Sequence, residues 1–110
     1  MIKILKENAE SLSVHLSVKE ANLANADRFK GELIALLDKH HKKVIIDLKE
    51  VEYIDSSFLG ALVSALKHAI SAQSDIILVG LRKDIADLFA LIRLDKVFKI
   101  YASFNDVPAH

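Results

Sequence analysis

The sequence contains no cysteine, and this absence excludes several classes of protein at once. Disulfide frameworks, zinc sites built on thiolates and cysteine nucleophiles are all ruled out. The longest nearly continuous apolar run, residues 58–66, is much shorter than the roughly 20 residues that a membrane-spanning helix needs. Residues 1–4 do not open a signal peptide, because no long apolar segment follows them. The sequence therefore predicts a soluble, cytoplasmic protein without membrane insertion.

Turn-forming residues and excess charge are also scarce. Three glycines and one proline among 110 residues predict short loops and a mostly regular chain. Lysine and arginine total 15, as do aspartate and glutamate, so charge gives no basis for binding nucleic acid. No glycine-rich phosphate loop is present and the His40-His41 pair does not form a metal site, so no cofactor or metal is predicted. Hydrophobic residues make up 52% of the chain, enough for one domain over residues 1–110.

The apolar periodicity predicts the order strand, strand, helix, strand, helix, strand, helix, strand. Strands are expected at 2–6, 12–18, 44–48, 76–79 and 97–101. The first helix is expected to run from a cap at Asn25 to about Lys39. Strands that alternate with helices imply a mainly parallel sheet, and the first two strands form an antiparallel hairpin. The predicted fold class is α/β, an open mixed sheet with an N-terminal antiparallel hairpin and helices packed on the sheet.

The segment VEYIDSSFLGALVSAL, residues 51–66, places three small polar residues between a strand and a helix. Asp55 or Ser56 is expected to cap the helix, because both side chains accept hydrogen bonds from the free amides of a first turn. Ser57 would then lie in that turn with its hydroxyl near solvent. We call residues 55–57 the junction.

Three interpretations of the junction are open on the residues alone. Capping alone explains most clusters of this kind. Phosphorylation of Ser57 is the sharper hypothesis, because the positive end of a helix accepts a phosphate charge that a docked partner would not tolerate. A nucleophilic Ser57 is disfavoured, because no Gly-x-Ser-x-Gly motif surrounds it and no histidine has a recognisable role as its base. The chain is therefore predicted not to be an enzyme.

The run VIIDLKEVEYIDSSFLGALVSALKHA resembles the central segment of the STAS domain of anti-sigma factor antagonists. That family has an apolar strand ending in Asp-Leu, then Asp-Ser-Ser and an apolar helix. LSVKEANLANADRF is similar to the segment that leads into the family's first helix. LRKDIADLFALIRLDKVFKI is similar to its third helix and last strand. The resemblance covers about residues 2–101 and implies the STAS fold.

The resemblance also implies a regulatory function. It predicts a module that binds an anti-sigma factor serine kinase and is switched off when the kinase phosphorylates Ser57, with a metal-dependent serine phosphatase reversing the step. The alternative is a non-phosphorylated STAS scaffold or subunit of a lipid-transport or stress-signalling complex. The predicted partner-binding residues are Asp55, Ser56, Ser57, Phe58, Gly60, Ala61 and Ala65 around the second helix, with Glu20, Asn22 and Asn25 before the first.

Phe58 is the main departure from the family, which has glycine at this position; Lys19 and Asn22 also depart from it. The buried stripe of the second helix is predicted to consist of Leu59, Leu62, Val63, Leu66 and Ile70. Phe58 would lie beside that stripe, on a face shared with Ala61 and Ala65. An exposed ring there would anchor a partner or hinder a kinase, whereas the alternative is a ring that folds back and packs.

Overall fold

The computed structural model describes residues 1–108 and contains seven strands and three α-helices within them. The strands are β1 (Ile2–Glu7), β2 (Ser11–Leu16), β3 (Glu20–Ala21), β4 (Lys43–Asp47), β5 (Tyr53–Ile54), β6 (Ile76–Val79) and β7 (Lys99–Tyr101). The helices are α1 (Leu23–His40), α2 (Ser56–Ser71) and α3 (Lys83–Leu91), and short 3₁₀ turns at 94–96 and 104–106 flank β7.

Five of the strands form one mixed sheet in the order β1-β2-β4-β6-β7. The first pair is antiparallel and the other three pairs are parallel. One row of the register joins Val14, Ile46, Leu78 and Ile100 across the four parallel strands. The predicted α/β fold with an N-terminal antiparallel hairpin is therefore confirmed. β3 and β5, which are too short to give a periodic signal, form a separate parallel pair.

Both faces of the sheet are covered, but by different parts of the chain. Apolar side chains of all three helices pack with one face in a single large core. On the opposite face, Ile45, Ile77 and Val79 pack with Tyr101 and with the C-terminal segment that contains Phe104 and Val107. This arrangement explains why β4 and β6 are nearly continuous apolar runs. No helix among residues 1–108 is long and apolar enough to cross a bilayer.

β1 is an edge strand that contributes little to the core. All of its residues except Ile2 are exposed. Lys3 and Lys6 lie on it, and its pairing with β2 is shifted between Ile4 and Lys6 by a bulge. Hydrogen bonds between neighbouring strands therefore end at this side of the sheet.

The far end of β1 is tied to the rest of the molecule by Glu7. Its Oε2 accepts hydrogen bonds from Lys42 Nζ at 2.7 Å and from His40 Nδ1 at 3.1 Å. The hydrogen bond from Lys42, followed by that from His40, lowers the pKa of Glu7 below its ordinary value of 4.5. A single carboxylate thus links the hairpin to the turn between α1 and β4.

The start of α1 differs from the prediction. Asn22, rather than Asn25, is the N-cap, and its Oδ1 accepts from the Ala24 amide at 3.0 Å. Asn25 lies three residues later and its Oδ1 accepts from the Asn22 amide at 3.0 Å. The predicted cap at Asn25 is therefore wrong, because the two asparagines form a reciprocal capping box that begins at Asn22.

Candidate functional site

The starts of α1 and α2 lie side by side. The parallel pair β3–β5 matches Glu20 with Tyr53 and Ala21 with Ile54. The amide of Asp55 continues this pairing by donating to the Ala21 carbonyl at 3.0 Å. Each strand runs directly into a helix, so the two first turns meet. The structure therefore brings together the two segments that contain the predicted partner-binding residues.

The carboxylate of Asp55 accepts hydrogen bonds from the first turns of both helices. Its Oδ1 accepts from the Phe58 amide at 2.9 Å, which makes Asp55 the N-cap of α2. Its Oδ2 accepts from the Leu23 amide at 2.9 Å, in the first turn of α1. Of the two predicted caps, Asp55 and Ser56, the structure selects Asp55. The serine hydroxyls of the junction are thus not needed for capping.

Ser56 and Ser57 are the first two residues of α2. Ser56 is exposed and Ser57 is partly exposed. Gly60, one turn further on, is exposed, and a Cβ placed there would meet no heavy atom within 4 Å. Ser56 therefore lies on open surface, and Ser57 on partly open surface, at the positive end of a helix.

Phe58, Ala61 and Ala65 are core residues, with exposed fractions of 1%, 7% and 0%. The ring of Phe58 packs on that of Phe29 in α1, with 4.4 Å between ring centroids. The prediction that these three side chains contact a partner is wrong, as is the idea of an exposed ring that hinders a kinase. The packing alternative is correct, although the ring packs against α1.

The buried face of α2 is wider than predicted, because this helix packs against both the sheet and α1. Leu59, Leu62 and Leu66 are buried as expected, and Phe58, Ala61, Ala65 and Ala69 form a second buried row beside them. Val63 is only half-buried. Ile70, near the end of α2, is 58% exposed and does not belong to the buried face.

Two apolar side chains that the sequence did not single out are exposed beside the junction. Leu23, the first residue of α1, is 73% exposed, and its amide donates the hydrogen bond that Asp55 Oδ2 accepts. Tyr53, two residues before Asp55, is 54% exposed. Neither residue belongs to a periodic stripe, so only the β3–β5 pairing and the bond to Asp55 show that both lie next to the junction.

Several contacts fix the loop that leads from β4 to the junction. The amides of Glu52 and Tyr53 both donate to the Lys19 carbonyl, at 2.8 and 3.1 Å. Arg82, at the start of α3, donates from Nε to the Lys49 carbonyl at 3.0 Å. The loop that precedes Ser57 is therefore held by contacts to two other parts of the chain, at Lys19 and at Arg82.

A polar cluster that includes the buried side chains of His15 and Asp47 lies next to the same loop. The two ring nitrogens of His15 lie 3.1 Å from Asp47 Oδ2 and 3.2 Å from Glu50 Oε1. Asp47 Oδ1 accepts from the Lys49 amide at 3.0 Å. No group of three or more potential ligands among residues 1–108 is arranged to hold a metal ion. The cluster thus ties β2 and β4 to the loop.

Two open clefts, of about 460 and 550 Å³, lie elsewhere on the molecule. One is lined by Lys43, Asp75 and Lys99, and the other by residues that include Leu5 and Phe104. Neither cleft includes a residue of the junction. These two clefts are therefore separate from the candidate site.

Comparisons with known proteins agree with this geometry. The model of the STAS domain family matches residues 5–107. A curated relative from Thermotoga maritima, provisionally named an anti-sigma factor antagonist, is 34% identical over 89 residues, which cover 80% of this chain and 79% of the relative. The anti-sigma-B factor antagonist of Listeria monocytogenes is 29% identical over 102 residues, 81% of this chain and 90% of that protein.

A solved structure gives the same result. The crystal structure of a provisionally named anti-sigma factor antagonist from Thermotoga maritima has a TM-score of 0.79 and 30% sequence identity to this chain. The match covers 96% of this chain and 88% of that one. The similarity therefore extends over nearly the whole chain.

Proposed function

Because the chain belongs to the STAS domain family, we propose that it is an anti-sigma factor antagonist whose surface around the junction binds an anti-sigma factor serine kinase. In this proposal, phosphorylation of Ser57 ends the binding and a metal-dependent serine phosphatase restores it. Residues 1–110 act as one non-catalytic domain in the cytoplasm, without nucleic acid and without membrane insertion.

The observation that carries the proposal is that Asp55, and not a serine, caps α2. The Ser57 hydroxyl is therefore available for modification without loss of the cap. In the modification its oxygen bonds to the γ-phosphorus of ATP, the bond from that phosphorus to ADP breaks, and the hydroxyl proton passes to a base of the kinase. The product adds roughly −1.5 to −2 charges at the positive end of α2, where the fold tolerates them.

The burial of the α2 face changes which residues we assign to the interface. Phe58, Ala61 and Ala65 are removed from it. The remaining set consists of the partly exposed Ser57 and the exposed residues Glu20, Leu23, Tyr53, Ser56 and Gly60. Asp55, Asn22 and Asn25 support this surface through hydrogen bonds to the two first turns. Leu23 and Tyr53 supply apolar anchors on a surface that also contains the phosphoacceptor. A phosphate buried among them would lose its hydration, so the complex would separate.

The proposal is tested with purified protein, the anti-sigma factor serine kinase of the same genome and Mg-ATP, followed by localisation of phosphate by mass spectrometry. We expect phosphate on Ser57 in the natural chain and in Ser56→Ala, and none in Ser57→Ala. Ser56→Ala is the matched control, since it removes the neighbouring hydroxyl from the same turn. Phosphate on Ser56 alone, or none at all, would contradict the proposal.

Binding measurements separate the proposal from its alternative. We expect the unphosphorylated chain to bind the kinase and the phosphorylated chain to bind at least about tenfold more weakly, which is ~1.4 kcal/mol. Stable binding to a protein complex with no phosphate transfer would instead support a fixed scaffold or subunit, in which the junction is a permanent contact.

A further inference from the structure

We propose that Asp55 is a positioning residue that couples phosphorylation of Ser57 to the first turn of α1. The inference rests on the proposed phosphorylation and deepens it. Its basis is the bridging carboxylate, in which Oδ1 holds the Phe58 amide and Oδ2 holds the Leu23 amide, both at 2.9 Å. The two amides belong to different helices and are separated by 35 positions in the sequence.

The bond to Leu23 goes beyond ordinary capping. α1 has its own complete capping box, formed by Asn22 and Asn25. The amide of Leu23, as the first residue of the helix, is one of the donors that a capping box leaves without a partner. Asp55 supplies that partner from across the β3–β5 pair. The bond therefore connects two helix starts that would otherwise be capped independently.

A phosphate on Ser57 changes the balance at this carboxylate. It places a second anion two residues from Asp55, and like charges at this separation repel. The Phe58 half of the bridge lies within the same helical turn and is partly buried, whereas the Leu23 half is exposed to water. The exposed half is the one that water can replace at lower cost. Phosphorylation is thus expected to release Leu23 while the cap of α2 remains.

Release of the Leu23 amide affects partner binding because the side chain of the same residue is 73% exposed and belongs to the proposed interface. The phosphate then acts on the interface in two ways, as a charge at Ser57 and as a loosened apolar anchor at the start of α1. The ring contact between Phe29 and Phe58 and the β3–β5 pair keep the two helices together while only the first turn of α1 moves.

The test is amide hydrogen exchange followed by NMR on the full chain. We expect the Leu23 amide to exchange at least about tenfold faster in the phosphorylated chain and in Ser57→Glu, while the Phe58 amide changes by less than about twofold. Gln73→Glu, which adds the same charge as Ser57→Glu at an exposed position just beyond the far end of α2, is the matched control and is expected to leave both amides unchanged.

Two further variants test the role of the bridge itself. Asp55→Asn keeps the shape but offers only one acceptor oxygen, so the bridge cannot form. Leu23→Pro removes the amide donor at the first position of α1, where proline is well tolerated. This variant therefore tests the bridge even if Asp55→Asn fails to fold. In wild type, Ser57→Glu is expected to shift the Ala24 amide resonance, and in either variant background that shift is expected to disappear.

Two results overturn the inference. One is a Leu23 exchange rate that stays within about twofold of the unphosphorylated rate after phosphorylation and in Ser57→Glu. The other is an Ala24 shift that persists in Leu23→Pro. A kinase that leaves Ser57 unmodified contradicts the proposed function, but the Ser57→Glu series still decides whether Asp55 couples the two helices.

Discussion

At the residue scale, the ring of Phe58 joins α1 and α2 next to Ser57, the proposed phosphoacceptor. It is 1% exposed and stacks on Phe29. Truncation to alanine would leave a cavity between the two helices. We expect Phe58→Ala to lower the free energy of unfolding by about 3–5 kcal/mol, measured by urea denaturation.

The control for this prediction is Leu91→Ala, which removes apolar atoms from a side chain that is 80% exposed. That substitution is expected to change the free energy of unfolding by no more than about 0.5 kcal/mol. A loss below about 1 kcal/mol in Phe58→Ala would show that the ring does not pack between the helices as described.

Leu23 and Tyr53 are the residues at which the proposed interface can be weakened without harm to the fold. Both are more than half exposed. We expect Leu23→Ala and Tyr53→Ala each to weaken kinase binding by about tenfold or more in calorimetric titrations, because apolar anchors dominate interface energies. Thermal unfolding is expected to be nearly unchanged. Ile70→Ala, a similar loss at an exposed position near the end of α2, should bind normally, and equal weakening there would argue against this interface.

At the element scale, Gly80 determines how β6 can end. Its φ of +72° is left-handed, and a Cβ there would lie 2.6 Å from Asp47 Oδ1. That oxygen already accepts from the Lys49 amide, so it cannot move away without losing a hydrogen bond. We expect Gly80→Ala to destabilise the protein by about 1–3 kcal/mol in urea denaturation.

Gly31 is the matched control for Gly80. It lies inside α1, and a Cβ there would meet no heavy atom within 4 Å. Gly31→Ala is expected to stabilise the protein by about 0.5–1 kcal/mol, because alanine loses less conformational entropy in a helix. Destabilisation by both substitutions would contradict this account of the two glycines.

The strands and helices of the main sheet were predictable from periodicity, whereas the contacts between elements were not. The alternation of residues such as Val14 and Leu16 identifies β2, and the sequence gives the correct order of the five sheet strands and three helices. Asn22 was missed as a cap because Asn25 has the same chemistry three residues later. The burial of Phe58 and the Leu23–Asp55 bond depend on contacts between elements, which no local pattern records.

At the scale of the whole molecule, Glu7 links acid stability to the attachment of the hairpin. The pKa of Glu7 is lowered in the folded protein, first by Lys42 and then by His40. Its contribution to stability is therefore present above the pKa of the unfolded chain and is lost as the pH falls through the folded pKa. We expect Glu7→Gln to be less stable than wild type near neutral pH.

The same difference is expected to shrink as the pH is lowered from about 6 to about 3, because the wild-type carboxylate then becomes protonated. Urea denaturation at several pH values measures it. Glu10→Gln is the control, since Glu10 lies in the same hairpin and its carboxylate forms no ion pair among residues 1–108. A Glu7→Gln difference that is independent of pH would contradict the role of this ion pair.

We expect the bulge and the lysines of β1 to limit edge-to-edge pairing between copies of the protein at high concentration. A regular edge strand can pair with the edge of another molecule and so begin aggregation. In β1 the register shift between Ile4 and Lys6 interrupts such a ladder, and the charges of Lys3 and Lys6 repel a second copy. The strand that adds little to the core is thus expected to protect its own edge of the sheet from pairing with another copy.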